Sequence, residues 1–313
     1  MNVMLLAAGL GTRLAPLTNK YPKPSVPFLN VPLGFYQFQF LKHLPIDRLV
    51  VNTFHIAEKI HQLYKNQPYY KNEIYFSNES GKILGGAGGL KKASVFMKPD
   101  SPILLMNADE VYFTKQQDFL KAALKRHVEN KNLSTVVVVE HPEAGKKFGA
   151  LWAENLQVKD ISKTAKHTNL IPWHCIGPIF LSWEALKLIP DYQETNIFYD
   201  TLLPQLSSGK VEIFPITADW YETGNPADYI EATKKVLSNL TPELLQFINQ
   251  YDESDLIRNS QTESLVSKSK HIDSSKLFGV NVISKSADLL KMNKVKDSVL
   301  FDLEVVNADY FKT

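Results

Sequence analysis

The sequence contains a single cysteine, Cys175, so no intrachain disulfide can form. That usage fits a reducing compartment. It also lacks an excess of either charge: 35 basic and 33 acidic residues leave a formal net charge of +2. General nucleic-acid and polybasic membrane binders carry a stronger imbalance. No apolar run approaches the roughly 20 residues a transmembrane helix needs. The first residues, Met1 to Gly9, lack the basic n-region and longer apolar segment of a secretory signal. These absences predict a cytoplasmic protein with neither nucleic acid nor membrane as partner. What is present is an ordinary globular balance, 44% hydrophobic and 22% charged over 313 residues, long enough for more than one domain.

Short apolar runs at 3–8, 49–52, 103–106 and 135–139 read as buried strands. Between them, 34–43, 57–65, 88–96 and 116–130 have helical spacing. This alternation predicts an α/β fold, a doubly wound and mostly parallel Rossmann-like sheet covered on both faces. Further strands are expected at 149–152, 177–181 and 212–216, with a closing helix at 226–237.

From Ser238 the pattern changes. A helix is expected at 241–251, with Thr241 as N-cap, Pro242 at the first helical position and Glu243 in the first turn. Residues 252–264 are polar and read as a linker. Apolar residues then recur every six positions, Val266, Ile272 and Phe278 in one register and Ile283, Leu289, Val295 and Phe301 in a second. A six-residue period marks a parallel β-helix, although the glycines usual in such repeats are mostly missing. A few ordinary strands are the alternative. The expected domains are 1–237, a helix and linker at 238–264, and a β-helix-like tail at 265–313. An incomplete β-helix leaves apolar surface, so a homo-oligomer formed through the tail is a further expectation.

The chemistry concentrates near the start. The first strand runs into Gly9 and Gly11, which permit a tight turn and close approach of an anion to peptide N–H groups. Leu14 stands where the dinucleotide-binding fingerprint requires its third glycine, and no stretch fits the P-loop pattern. What remains is a glycine loop followed by Arg13, with Lys23 held between Pro22 and Pro24. Arg13 suits bidentate phosphate contact and Lys23 supplies a compact charge. The loop therefore suits a ligand with at least two phosphates. A plain glycine turn with solvated cations is the alternative reading.

Several stretches together resemble the sugar-1-phosphate nucleotidyltransferases, or nucleotide-sugar pyrophosphorylases. They are Leu6-Ala-Ala-Gly-Leu-Gly-Thr-Arg-Leu14, Pro16-Leu-Thr18 and Pro22-Lys-Pro24, then Val51 to His55, Ile83 to Ala93, Met106-Asn-Ala-Asp109 and Trp220-Tyr-Glu-Thr-Gly224. The resemblance spans roughly residues 1–237. It implies a GT-A-like nucleotidyltransferase domain that joins a nucleoside triphosphate to a sugar 1-phosphate, giving a nucleotide sugar and diphosphate. The tail is similar, loosely, to the left-handed β-helix of the guanylyltransferase branch.

The implied nucleophile is a phosphate oxygen, ionised at neutral pH because its second pKa is near ~6, so no general base is required. The resemblance assigns Arg13 to the leaving pyrophosphate and Lys23 to the sugar phosphate and α-phosphate. It places Leu6, Ala8, Gly9, Gly11 and Thr12 along the nucleotide, and Gly85, Gly86 and Gly88 at the base. It implies Mg²⁺ on Asp109 and on Glu222, the latter a departure from the aspartate of the family's Trp-x-Asp-x-Gly motif. Glu110 is a weaker ligand, because neighbouring side chains in an extended stretch point apart. Gly149 and Gly177 are assigned to the sugar. Lys163 is the nearest match to the lysine of a Glu-Lys-Pro motif whose glutamate and proline are absent here.

The base remains open. Leu84-Gly-Gly-Ala87 resembles the guanylyltransferase loop, whereas Gly88-Gly-Leu-Lys-Lys-Ala93 resembles uridylyltransferases that use N-acetylmuramate 1-phosphate. The tail tilts the reading toward GTP with mannose 1-phosphate. A nucleotide-sugar-binding regulatory subunit without turnover is a third reading. Cys175 reads as a small buried hydrophobe rather than a nucleophile.

Overall fold

The computed structural model describes residues 1–164, 169–289 and 292–310. Among these, nine strands form one sheet: β1 (Asn2–Leu6), β2 (Arg48–Thr53), β3 (Ile74–Asn78), β4 (Ile103–Asn107), β5 (Ser134–Val139), β6 (Ala150–Glu154), β7 (Gln157–Ser162), β8 (Ile171–Leu181) and β9 (Val211–Pro215). Their spatial order is 3-2-1-4-8-5-9-7-6. Strands β3, β2, β1 and β4 are mutually parallel, as are β5 and β9. β8 runs against β4 and β5, and β7 against β9 and β6, so the sheet is mixed rather than simply parallel.

Both faces of the sheet are buried, and successive residues feed opposite cores. Val3 and Leu5 join one hydrophobic cluster and Met4 the other; Val137 and Val139 join the first, Val136 and Val138 the second. Continuous apolar runs are what a sheet covered on both sides requires.

Helices α1 (Ala57–Lys65), α2 (Gly85–Ala93), α3 (Phe119–Glu129), α4 (Pro226–Ser238) and α5 (Pro242–Asn249) fall on the expected segments. Asn225 and Thr241 cap α4 and α5 by accepting from the backbone N–H of Asp228 and Leu244. The segment 34–43 differs from expectation. It holds only a 3₁₀ turn, Leu33–Phe35, and a single α turn, Phe38–Leu41. Phe35, Tyr36, Phe38, Phe40 and Leu41 are all buried. Contacts such as Phe40 stacked on Tyr112 at 4.7 Å fix it instead of an amphipathic helix face.

The stretch 252–264 is not a linker. It contains β10 (Ser254–Arg258), paired antiparallel with β11 (Thr262–Ser267). Its polar residues serve the pairing: Arg258 donates to Glu263 at 2.5 Å, and Asp252 accepts from Ser267 Oγ and the Lys285 backbone N–H. β11 lies parallel to β12 (Leu277–Ile283), which lies parallel to both β13 (Val295–Lys296) and β14 (Val299–Phe301); β15 (Glu304–Val306) turns back antiparallel. Val266 thus stacks on Ile283, and Ile283 on Leu300.

The six-residue register slips at its ends. Leu277 and Leu300 fill the tail core with Val266, Ile283 and Val295, while Ile272 and Leu289 pack against it. Phe278 is only half-buried, and Phe301 enters the main core against Tyr21 at 5.3 Å. Adjacent strand residues face opposite ways, so a one-residue slip exchanges the two sides. The tail is no separate globule, since Leu265, Val282, Val299, Phe301 and Val306 share the core of Phe28 and Leu29.

Candidate functional site

β1 has β2 on one side and β4 on the other, so the chain reverses direction of winding between β1 and β4. Open α/β sheets leave a crevice beyond the carboxyl ends of strands at such a point. A cleft of about 350 Å³ lies there. It is lined from β1 onward by Leu6, Ala8, Gly9, Gly11 and Arg13, then by Lys23, by Gly85 and Gly86, and by Asp109, Glu110, Trp220 and Glu222.

The glycine loop leaves β1 and turns at Gly11, whose φ of 64° is in the left-handed region. A side chain on Gly11 would meet Thr18 Cγ2 at 2.9 Å and Lys23 Cβ at 3.3 Å, so the loop packs directly on the lysine segment. Thr18 Oγ1 donates to Gly11 O at 2.9 Å and ties the two together. Gly9 has no atom within 4 Å of the place its Cβ would take, and Gly86 has only Leu6 Cδ1 at 3.6 Å. Those two glycines leave open space for a ligand.

The carboxylates come from a two-stranded hairpin. Val111–Phe113 pairs antiparallel with Asp219–Tyr221, with Val111 opposite Tyr221. That register brings residues 109–110 beside 222–223. Lys23 Nζ lies 2.7 Å from Asp109 Oδ2, with side chains only 11% and 29% exposed. Arg13 is far more open and stands 3.9 Å from Glu222 Oε2. Glu222 Oε1 accepts from the Gly224 backbone N–H at 2.5 Å, and Thr223 Oγ1 donates to Asp109 O at 3.2 Å.

Glu110 is in the cleft, contrary to the expectation that it points away. The chain turns at 108–109, so the strand rule of alternating faces does not apply. Asn107 Nδ2 donates to Glu110 Oε1 at 3.0 Å and Trp220 Nε1 to Oε2 at 2.7 Å. Burial, then the neighbouring Asp109 carboxylate, raise its pKa.

The glycines expected at the base are not in a loop: Gly85 starts α2. Leu84 N–H donates to Glu79 Oε2 at 2.7 Å, Asn52 Nδ2 donates to Glu79 Oε1 at 2.5 Å, and Asn52 Oδ1 accepts from Ala7 N–H at 2.7 Å. This chain of bonds joins the end of β1 to the start of α2. Asn52 and Glu79 also line the cleft, and burial raises the Glu79 pKa. Sequence reading passed over both; the signal was a polar Asn closing an apolar strand.

Five expected site residues do not line the cleft. Thr12 is exposed and is not among the residues that line the cleft. Gly88 is a packing residue: a Cβ there would sit 2.1 Å from Gln193 O. Gly177, at φ 114°, is buried under Glu110, whose Cγ would be 3.0 Å from an added Cβ. Gly149 is exposed, with Tyr199 Oη at 3.6 Å from its Cβ position, and Lys163 is an exposed residue following β7. Burial lifts the Cys175 thiol to about 12, which agrees with an inert role.

Comparison with known proteins agrees with this architecture. The chain is 26% identical over 332 residues to the UTP–glucose-1-phosphate uridylyltransferase of Synechocystis, covering 96% of this chain and 83% of the relative. It is 28% identical over 250 residues to the mannose-1-phosphate guanyltransferase of Yarrowia lipolytica, covering 78% of this chain and 67% of that one. Against several other fungal mannose-1-phosphate guanyltransferases the chain spans 65% of their length. A solved UDP-glucose pyrophosphorylase complexed with UDP-glucose superimposes with a TM-score of 0.61 at 17% identity, over 76% of this chain and 98% of the other, a likeness of fold. The nucleotidyl transferase family model matches residues 2–239. With the glycine loop, Lys23 and the hairpin carboxylates all inside that span, the chain belongs to the nucleotidyl transferase family and is a nucleotidyltransferase.

Proposed function

We propose that this enzyme joins a nucleoside triphosphate to a sugar 1-phosphate, releasing diphosphate, with GTP and mannose 1-phosphate as its substrates. The observation that carries the reading is the meeting of Lys23 and Asp109, 2.7 Å apart, with the glycine loop at the open crevice beyond β1 and β4. The sugar phosphate oxygen attacks the α-phosphorus and the bond to pyrophosphate breaks. Because the nucleophile is already ionised, the protein's task is to hold two polyanions in line and stabilise charge at the α-phosphate. The Lys23 ammonium has three donors; Asp109 engages one, leaving two for phosphate oxygens. Arg13, exposed at the mouth, suits the departing pyrophosphate.

Mg²⁺ fits the residues present. Asp109, Glu110 and Glu222 contribute carboxylate oxygens to one cleft. Among the described residues no three His, Cys, Asp or Glu side chains form a ready-made metal cage. An Mg²⁺ ion here would be held by one or two carboxylates together with substrate phosphates. Asp109 and Glu222 are the proposed ligands, and the bound ion would neutralise phosphate charge.

The guanyltransferase relatives and the stacked parallel strands of the tail, read as a left-handed β-helix-like unit, support GTP. UTP is the second reading, supported by the uridylyltransferase relative that aligns with 96% of the chain. A cytoplasmic location and a homo-oligomer formed through the tail remain part of the proposal.

The test is diphosphate release from each of GTP, UTP, dTTP, CTP and ATP with Mg²⁺ and a panel of hexose and amino-sugar 1-phosphates. GTP above the others supports the proposal, and UTP above the others moves it to the second reading. No release with any pair, while nucleotide sugars still bind, replaces it with a regulatory subunit.

A further inference from the structure

Each of the two proposed metal ligands already faces a cation. Lys23 Nζ lies 2.7 Å from Asp109 Oδ2, and Arg13 Nη1 lies 3.9 Å from Glu222 Oε2. The same two cations are the ones directed at phosphate. We propose that in the empty enzyme Lys23, seconded by Arg13, excludes a divalent cation from these carboxylates, and that phosphate and metal enter by an exchange of partners. Phosphate oxygens take over Lys23 and Arg13, which releases Asp109 and Glu222 to the ion. On the assignment of these four residues proposed above, the phosphate-directed cations therefore oppose metal binding until an anion arrives.

The chain holds the Lys23 pair closely. Lys23 opens a 3₁₀ turn, Lys23–Ser25, between Pro22 and Pro24, whose rings fix the backbone on either side. Ser25 N–H donates to Pro22 O at 2.8 Å and Val26 N–H to Lys23 O at 3.1 Å. The Lys23 side chain is only 11% exposed, so little water competes for its ammonium. Among the described residues Lys23 is the sole ion-pair partner of Asp109. Arg13 approaches Glu222 because residue 224 is glycine, where a Cβ would stand 2.5 Å from Arg13 Nη2. The Arg13 side chain is 68% exposed and its pair is long, so solvent screens it and the Lys23 pair carries most of the effect. Glu110 stands outside the exchange, since its oxygens accept from the uncharged Asn107 Nδ2 and Trp220 Nε1.

The balance of charge gives the reason. In the empty cleft two cations face two carboxylates and cancel. A divalent ion alone would add positive charge beside the Lys23 ammonium, and like charges in a partly buried cleft repel strongly. A polyphosphate alone would add negative charge beside Asp109 and Glu222, with the same result. Together the two offset each other, and every charged side chain keeps a partner of opposite sign. The flexible stem of Lys23 permits the swing from carboxylate to phosphate without backbone movement. Two of its three donors are free of Asp109, so a phosphate oxygen can engage the ammonium before the first contact breaks. By linkage, the factor by which phosphate strengthens metal binding equals the factor by which metal strengthens phosphate binding.

Two binding titrations test this, and neither needs turnover. Mn²⁺ replaces Mg²⁺, and its free concentration is read by electron paramagnetic resonance on enzyme without nucleotide. Pyrophosphate, which carries no base, is titrated calorimetrically in EDTA. The wild type is compared with Lys23→Met, which removes the charge and keeps an apolar stem, with Lys23→Arg, which keeps the charge, and with Asp109→Asn. Mn²⁺ is expected to bind Lys23→Met about tenfold or more tightly than the wild type, and to bind Lys23→Arg as weakly as the wild type. In EDTA, Asp109→Asn is expected to bind pyrophosphate about tenfold or more tightly than the wild type, because its lysine is already released. Equal or weaker Mn²⁺ binding by Lys23→Met overturns the proposal, as does equal or weaker pyrophosphate binding by Asp109→Asn. Tighter Mn²⁺ binding by Lys23→Arg also overturns it, since shape rather than charge would then be the cause. A failed diphosphate assay would sink the proposed reaction and leave this exchange standing, whereas failure of the titrations leaves the reaction standing.

Discussion

Lys23 Nζ and Asp109 Oδ2 are 2.7 Å apart although 86 positions separate the two residues in the chain. A proline-flanked turn delivers the cation, and the end of β4 delivers the carboxylate. Lys23→Ala and Asp109→Ala should each lower turnover by about 10²–10³-fold, the usual effect of removing one group that stabilises transition-state charge. Steady-state diphosphate release measures this. Lys23→Ala should move the melting temperature little, because Asp109 retains access to water, whereas Asp109→Ala leaves the largely buried Lys23 ammonium unpaired and should lower it. Unaltered turnover in Lys23→Ala would remove the lysine from the mechanism.

Glu222 accepts from the Gly224 N–H and lies 3.9 Å from Arg13. If it ligates Mg²⁺, Glu222→Gln should raise the Mg²⁺ concentration for half-maximal rate by about 10–100-fold. Glu222→Asp should restore most of that loss. Titration of rate against Mg²⁺ for the three proteins decides it; an unchanged midpoint in Glu222→Gln excludes the glutamate as a ligand.

Asn52 links Ala7 N–H to Glu79 and, through Glu79, to Leu84 N–H. Asn52→Ala would leave a backbone donor and a carboxylate oxygen unpaired in a buried place. The expected destabilisation is about 2–3 kcal/mol, read as the free energy of denaturant unfolding. Nucleotide KM should rise as well, since the same bonds hold the start of α2 at the cleft. A loss of stability with no change in KM would reduce the network to a structural role.

His174 packs on Trp220 at 4.3 Å, and neither ring nitrogen has a hydrogen-bond partner among the described residues. Burial, then the nearby His141, lowers its pKa to about 4. The unfolded chain takes up this proton near pH ~6.5. Stability should therefore be complete above that value, decline as pH falls toward 4, and level off below, because only the folded state resists protonation. His174→Phe should flatten part of the slope of unfolding free energy between those limits. His127, also lowered to about 4 by burial, and His141, lowered by burial too, add to the same slope. An unchanged slope in His174→Phe would mean that this ring is not the group titrating.

Asp109 and Glu110 both line the cleft, although alternation predicts that their side chains point apart, and the reason is physical. Alternation of faces holds along a strand, and β4 ends at Asn107. Beyond it the chain turns, and both carboxylates reach one cleft. Gly88 illustrates the same limit from the other side. A glycine-dense stretch signals close approach, but only the fold tells whether a ligand or Gln193 is the neighbour. The polar stretch 252–264 was similarly opaque, because its partners lie across β11 and β12 rather than nearby in sequence.

By itself the sequence determined the elements with local causes. These are the strands buried on both faces, marked by unbroken apolar runs, the helices begun at Asn225 and Thr241, and a left-handed turn at Gly11. It also marked Arg13 and Lys23 as the proposed phosphate-directed cations, because both sit within one short motif. Only the tertiary structure decided what depends on long-range register. Pairing of Val111 with Tyr221 set Glu222 beside Asp109, the antiparallel β8 made the sheet mixed, and a one-residue slip sent Phe301 rather than Leu300 into the main core. Local preference acts over a few residues. Register is chosen by the total burial of two surfaces distant in the chain, and no window along the sequence contains both.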